Sequence, residues 1–506
     1  MIIPHPTQYA RIPGHFTFDA STAVRADGPA AGAARLLRTL LAPATGLPLR
    51  LSPAGNVVLV VDDMLGGLGE EGYGLTVGPD AVLLRAARPA GLLRGVQTLR
   101  QLLPPEALAA QPVAGVPWRI PGVQITDVPR HPWRGAMLDV ARHFLPVSFL
   151  RRFTDLLAFH KLNVLHLHLT DDQGWRMPVA AFPRLTEVGG RRGGPVPHEG
   201  AYTAAELRGL VAYAAERGVT VVPEIEMPGH TRAALAAYPE LGNVPGRQLD
   251  VWTEWGVCDT VLGVHDEVLD FCRTVLGEVL DVFPSRYVHI GGDECPVTEW
   301  ETGTAARERA ARLGLESPKA LHGWFLGQVG DFLLAQGRLP VCWAEDSGAP
   351  PAGFTVMPWR DTDHGLAAAR RGHDVVMTPY RSTYLDYPQA TGPDEPPGQA
   401  GGVLDLRAVH AADAVPPGWE PEAAARVLGT QGQLWTEYVT TTAQAEYLAF
   451  PRLAALADRA WNPASRWSAD FRPALHAHQS RLDALRVHHR RDPGGTPATA
   501  SPASPR

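Results

Sequence analysis

From residue 131 to about 435, short apolar runs alternate with stretches of helical spacing. Apolar runs occur at Arg134–Asp139, Asn163–Leu169, Thr220–Glu224, 287–290, Leu339–Trp343, Thr355–Met357, Asp374–Met377 and Val427–Gln431. They are rich in β-branched residues and read as buried strands. The spacing predicts helices over 147–160, 203–217, 266–283 and 318–336. Eight strands alternating with helices predict a (β/α)8 TIM barrel. Ahead of it, Val57–Val61 reads as a strand, and Gly74–Val77 and Ala81–Arg85 as a hairpin about Gly78-Pro79-Asp80. Helical spacing at 30–42 and 90–103 completes a small α/β (α+β) accessory domain over 1–125, followed by a Pro/Ala/Gly-rich linker at 104–122. The barrel is expected over 126–465, with a last helix at 444–461. A further helix (468–487, within 466–490) packs on the barrel, and a Pro/Ala/Ser-rich tail at 491–506 is expected to be disordered.

A barrel of this kind carries its chemistry just after its strands, and polar and aromatic residues cluster there. Strand one leads to Arg142 and His143, and strand two carries His166 and His168 and ends in Asp171-Asp172. Strand three leads to Glu224, Glu226 and His230, and strand four to Asp293-Glu294. The remaining strands lead to Trp343, Glu345 and Asp346; to Trp359, Arg360 and Asp361; to Tyr384 and Asp386; and to Trp435 and Glu437.

Composition narrows the partners. The chain has 506 residues, a hydrophobic fraction of 45% and a net charge of −7. That charge offers no electrostatic case for nucleic acid or an anionic membrane, and no apolar run is long enough to span one. Met1-Ile2-Ile3-Pro4-His5-Pro6 lacks the basic and apolar segments of an export signal, so a cytoplasmic protein is expected, either monomer or homodimer. Cys258, Cys272, Cys295 and Cys342 fit no metal or disulfide pattern. No cofactor and no metal are expected.

The most informative stretch is Tyr287-Val288-His289-Ile290-Gly291-Gly292-Asp293-Glu294-Cys295-Pro296. A strand runs into two glycines and two adjacent acids, which suggests paired carboxylate chemistry. Trp343, Trp359 and Trp435, with Tyr384, offer faces for a pyranose ring, and nearby carboxylates could bind its hydroxyls. Arg142 either clamps two such hydroxyls or pairs with a strand-end acid. His166 and His168 share one strand face and are expected to fill the barrel and orient acids rather than bind metal. In Pro223-Glu224-Ile225-Glu226-Met227-Pro228-Gly229-His230, His230 either orients a catalytic acid, pairs with Asp171, or caps its loop.

Five segments in order resemble the family 20 glycoside hydrolases, the β-N-acetylhexosaminidases. They are Arg134 to Phe144, His166 to Trp175, Pro223 to His230, His289 to Glu294, and Trp435-Thr436-Glu437-Tyr438. The resemblance covers 1 to about 485 and includes the N-terminal domain. It implies exo-acting hydrolysis of terminal β-linked N-acetylglucosamine or N-acetylgalactosamine on a small-molecule or oligosaccharide substrate. It also implies retention by substrate assistance through an oxazolinium ion. By that resemblance Glu294 is the general acid/base and Asp293 holds the 2-acetamido N–H. Arg142 clamps sugar hydroxyls, and Asp171 and His230 form a supporting pair. Trp343, Trp359 and Trp435 form the walls, Tyr384 binds the acetamido oxygen, and Asp386 and Glu437 bind hydroxyls. The residues agree with this: an acid and a protein nucleophile need to face each other about 5–5.5 Å apart across the bond, and neighbours in one loop are poorly placed for that. The alternatives are a non-catalytic sugar-binding barrel, a metal-dependent hydrolase using His166 and His168, and an endo-acting enzyme with an open groove.

Overall fold

The computed structural model describes residues 1–195, 197–345 and 350–491. Asp346 and the expected tail beyond Arg491 lie outside them.

Eight parallel strands close into a barrel in chain order, the last pairing with the first. They are Trp133–Asp139, Val164–His168, Thr220–Glu224, Tyr287–His289, Leu339–Ala344, Thr355–Pro358, Asp374–Met377 and Val427–Leu434. The α/β barrel read from the sequence is the observed fold, with strand eight running further than its apolar run suggested. Its continuation, Gly432-Gln433-Leu434, carries a buried polar side chain that an apolar pattern does not register. Trp133, Val164, Val222, Val341, Trp343, Met357 and Val376 pack together as one buried cluster of strand residues. The outer core lies between strands and helices, as with Leu165 and Leu167 against Leu156 and Leu157. Helices Val147–Phe159, Ala204–Ala215, Asp266–Val282 and Leu321–Ala335 match the helical spacing.

Two expectations change. The supposed linker contains strand Arg119–Asp127, which lies between Gln8–Thr17 and Tyr73–Val77 in a seven-stranded sheet. Ile120, Val123 and Ile125 point into that domain's core. The Pro121-Gly122 pair that read as linker sits at an irregularity in register, where Arg11 and His15 bracket the slip. A Cβ on Gly122 would fall 2.6 Å from the Ile12 carbonyl oxygen, so the glycine permits close strand approach. The expected helix 444–461 is two, Thr442–Ala449 and Arg452–Trp461, because Pro451 has no N–H to continue the first.

The two domains are joined through buried charge. Lys161 Nζ donates to Asp127 Oδ2 at 2.7 Å and to the Tyr73 hydroxyl at 2.9 Å. Trp461 Nε1 donates to Asp127 Oδ1 at 2.7 Å. Beside them, Glu71 of the N-terminal domain pairs with Arg94 and with Arg134 of the first barrel strand, 2.6 and 2.7 Å away. Burial works against ionising Asp127, but Lys161 outweighs it and holds the carboxyl below its ordinary range. Lys161→Met would leave that carboxylate buried without its cation. It should lower unfolding free energy by about 3–5 kcal/mol in denaturant titration, whereas an exposed pair such as Arg88–Asp63 should contribute no more than about 1 kcal/mol.

Candidate active site

The mouth of the barrel is built outward from a buried carboxylate. Glu224, at the end of strand three, lies 2.6 Å from His168 Nδ1 and accepts from Trp343 Nε1 at 2.7 Å. His166 Nε2 is 3.1 Å away. Burial opposes this charge, but the imidazoles of His289, His168 and His166 outweigh it and hold the carboxyl well below the carboxylate range. His168 reaches Asp171 with its other ring nitrogen, at 2.8 Å. Burial would discharge it, yet Glu224 and Asp171 raise its pKa to about 10, so it stands as an imidazolium between two carboxylates. His168 therefore bridges two acids, while His166 Nδ1 accepts from Gln431 Nε2, at 2.9 Å, and its other ring nitrogen only approaches Glu224. Asp171 is shared further, with Arg142 Nη2 at 2.9 Å and His230 Nδ1 at 3.2 Å. His230 Nδ1 is shared between the neighbours, 3.2 Å from Asp171 Oδ1 and 3.2 Å from Asp172 Oδ2, and its hydrogen bond is to Asp172. Its Nε2 then faces the acid pair, 3.9 Å from Asp293 Oδ2 and 3.7 Å from Glu294 Oε2.

The acid pair is presented by a tight turn. Gly291 and Gly292 have φ of 67° and 95°, and Glu294 itself has φ of 44°. A non-glycine residue in that region is uncommon and carries strain of about 1–3 kcal/mol; His230, with φ of 53°, is another. Gly291 has a second constraint, since a Cβ there would lie 1.6 Å from Glu226 Oε2. The Glu226 side chain is buried, and among the described residues neither of its oxygens has a hydrogen-bond partner. Burial, Asp293 and Glu224 push its carboxyl well above the ordinary range. Asp293 is raised to about 7, by burial first and by Glu294 and Glu224, with the cationic His230 opposing.

These residues surround a cavity of about 340 Å³, the size class of a small-molecule site. One end is polar: the buried Arg142, Asp171 and Asp386 lie there with the half-buried Glu437, 4.0 Å from Arg142. Burial and Glu437 push the Asp386 carboxyl well above its usual range. The walls are Trp359, Tyr384 and Trp435. The rings of Trp359 and Tyr384 stack with 18° between planes, and Arg142 lies over Trp435, 5.1 Å from its centre. The other end is open, where the Glu294 and Arg360 side chains are 30% and 48% exposed.

Ten of the eleven residues given a role by the family resemblance line this cavity. The exception is Trp343, which sits one layer down, against His289 and behind Trp435, with ring centres 4.6 and 5.9 Å away. Arg142 forms the ion pair with a strand-end acid, Asp171, and also lines the cavity. Sequence reasoning assigned no role to Glu226, Arg360, Tyr380, Tyr387 or Gln399, which line it too. Glu226 and Arg360 stand at strand ends and were within reach of that signal. Gln399 lies in the long segment before strand eight, with no pattern to mark it.

Residues 131–464 match the model of the glycosyl hydrolase family 20 catalytic domain, and residues 1–128 match that family's domain 2. This chain belongs to glycosyl hydrolase family 20. It is 39% identical over 494 residues to a beta-hexosaminidase of Porphyromonas gingivalis, covering 95% of this chain and 63% of that protein's length. The family 20 beta-N-acetylhexosaminidase of Streptomyces coelicolor superposes with a TM-score of 0.86 at 35% identity, covering 97% of this chain and 98% of that one. A family 20 exo beta-N-acetylglucosaminidase of Vibrio harveyi, solved with N-acetylglucosamine, superposes with a TM-score of 0.89 at 31% identity, covering 97% of this chain and 78% of that one.

In this family 20 chain the fit of Gly291 against Glu226 is directly testable. Gly291→Ala places a methyl group where the carboxylate lies and strains a left-handed backbone. Displacement of the acid pair by about 1 Å should lower turnover by about 10²-fold with the far-ultraviolet dichroism unchanged. Wild-type turnover in the variant would show that the turn has slack.

Proposed function

We propose that this chain is an exo-acting, retaining β-N-acetylhexosaminidase that removes terminal β-linked N-acetylglucosamine or N-acetylgalactosamine by substrate assistance. The observation that carries the reading is the tandem Asp293-Glu294 on one turn, between a buried polar end and an open mouth. Glu294 faces the open side, where a leaving group departs. Arg142, Asp386 and Glu437 close the other end, as suits an enzyme that accepts one terminal sugar rather than a chain passing through.

In this mechanism the acetamido oxygen attacks the anomeric carbon. The glycosidic bond breaks toward its oxygen, which takes the proton of Glu294. Asp293, as a carboxylate, accepts the acetamido N–H and stabilises the positive charge of the oxazolinium ion. Water then adds to the anomeric carbon, giving its proton to Glu294, and the ring opens to the sugar with its configuration retained. Tyr384 donates to the acetamido group, and Trp359 and Trp435 enclose it. The Asp171–His230 pair supports the acids, and Trp343 backs the wall from below.

The test is release of p-nitrophenol from the β-N-acetylglucosaminide, with the plain β-glucoside as control. Cleavage of the acetamido sugar alone, reduced about 10²–10⁴-fold in Glu294→Gln, is the expected result. Equal cleavage of both sugars would send the mechanism back to two protein carboxylates. Sugar binding without cleavage of either would favour a binding barrel.

The raised pKa of Asp293 gives a pH dependence of defined sign. Asp293 must be ionised to hold the acetamido N–H, so kcat/KM should fall as pH drops through about 7. The bound N–H favours the charged form, so the corresponding limb of kcat should lie at lower pH. Asp293→Asn should lose this limb along with most turnover. A carboxyl raised in the fold binds its proton more tightly there than in the unfolded chain, so this group's contribution to stability declines as pH rises toward 7. Asp293→Asn, which cannot ionise, should therefore unfold later than wild type above that pH.

A further inference from the structure

The acid's backbone is held from outside the pair. The N–H of Glu294 donates to Glu345 Oε1 at 2.8 Å. Glu345 follows strand five, and its other oxygen accepts from Arg360 Nε and Nη2, at 3.2 and 2.8 Å. The Arg360 guanidinium lies over the Trp359 ring, 4.2 Å from its centre, and its Nη2 is 4.0 Å from Glu294 Oε1. The circuit thus runs from the backbone of Glu294 through Glu345 and Arg360 to the side chain of Glu294, and it rests on a wall of the cavity. It also holds a residue at φ of 44°, where a non-glycine backbone needs support from its surroundings.

We propose that Glu345 and Arg360 are positioning residues for the proton transfer from Glu294, Glu345 fixing its backbone and Arg360 its carboxyl. The proposal rests on the reading of Glu294 as the general acid. When the glycosidic bond breaks, its electron pair stays with the leaving oxygen, the Glu294 proton moves to that oxygen, and Glu294 becomes a carboxylate. Arg360, a permanent cation beside that carboxylate at the open mouth, favours the state after transfer. His230, the other cation near Glu294, is already shared among Asp171, Asp172 and the acid pair, so Arg360 is the one on the leaving-group side.

Acid assistance matters most when the leaving group is a poor one. The test compares Glu345→Gln, Glu345→Ala, Arg360→Met and Arg360→Lys on aryl N-acetyl-β-glucosaminides, from 2,4-dinitrophenyl to phenyl, and on the N-acetylglucosamine disaccharide. Glu294→Gln serves as the reference for lost acid catalysis. The expected result is a loss of about 10–100-fold on the disaccharide and phenyl substrates, part of the full general-acid term, and a far smaller loss on the dinitrophenyl substrate. The dependence of log kcat/KM on leaving-group acidity then steepens toward that of Glu294→Gln, and Arg360→Lys falls between wild type and Arg360→Met. An equal loss across the series, with Glu294→Gln steep, would overturn the proposal and leave the pair a structural role. Wild-type rates throughout would overturn it too. A flat series for Glu294→Gln would overturn the reading of Glu294 itself, and this proposal with it.

Discussion

The whole mouth of the barrel depends on one buried carboxylate, Glu224, and the cations that compensate it. A charge at that depth costs several kcal/mol unless it is paired. The pairing passes outward in alternating sign, from Glu224 to the imidazolium of His168, then to Asp171, then to Arg142 and His230. Every member is fixed by two neighbours or more, and the last two face the cavity. The chain of charges is therefore also a ruler. It sets how far Arg142 reaches into the cavity and where the ring nitrogen of His230 stands relative to Asp293 and Glu294.

The acids on the cavity side are treated differently. Asp293, Glu226 and Asp386 sit in the same low-dielectric space without full compensation, and their carboxyls are pushed up rather than down. Among the described residues, both oxygens of Glu226 and one oxygen each of Asp293 and Asp386 have no hydrogen-bond donor. In the proposed reaction a sugar rich in hydroxyls, with an amide N–H facing Asp293, would supply donors. On that proposal a sugar lacking the amide would leave a carboxylate buried and unpaired, a stronger basis for discrimination than the loss of a contact. The strained φ of Glu294 and His230 belongs to the same economy: backbone held in an unfavourable region serves to aim a side chain.

Much of this was legible from strand ends alone. The barrel could be counted from apolar runs, and the acid pair, the tryptophans and Arg142 each followed a run where chemistry sits in such folds. The interior logic was less visible. His166 and His168 could be placed on the inner face, but periodicity does not tell which acid a histidine meets on the neighbouring strand. Trp343 and Trp359 look equivalent in sequence. Register separates them: Trp343 lies within strand five, level with Met357, whereas Trp359 follows the end of strand six and so stands in the wall above it. Pro121 and Gly122 misled for a local reason, because the residues that permit a slip in strand register are also those that make linkers. Glu226 stands two positions after Glu224 at the same strand end, but its importance lies in its contact with Gly291, sixty-five positions on, which no local pattern marks.

Trp461 stands near the C-terminal end of the described chain, yet it packs in the core of the N-terminal domain and bonds to Asp127 there. During synthesis the N-terminal domain leaves the ribosome first, but part of its core arrives only after the last barrel strand and the helices that follow it. The first domain to be made is thus completed only after all eight barrel strands, and until then Asp127 waits without its indole partner. The N-terminal sheet is therefore a poor candidate for a module that could be exchanged or expressed by itself.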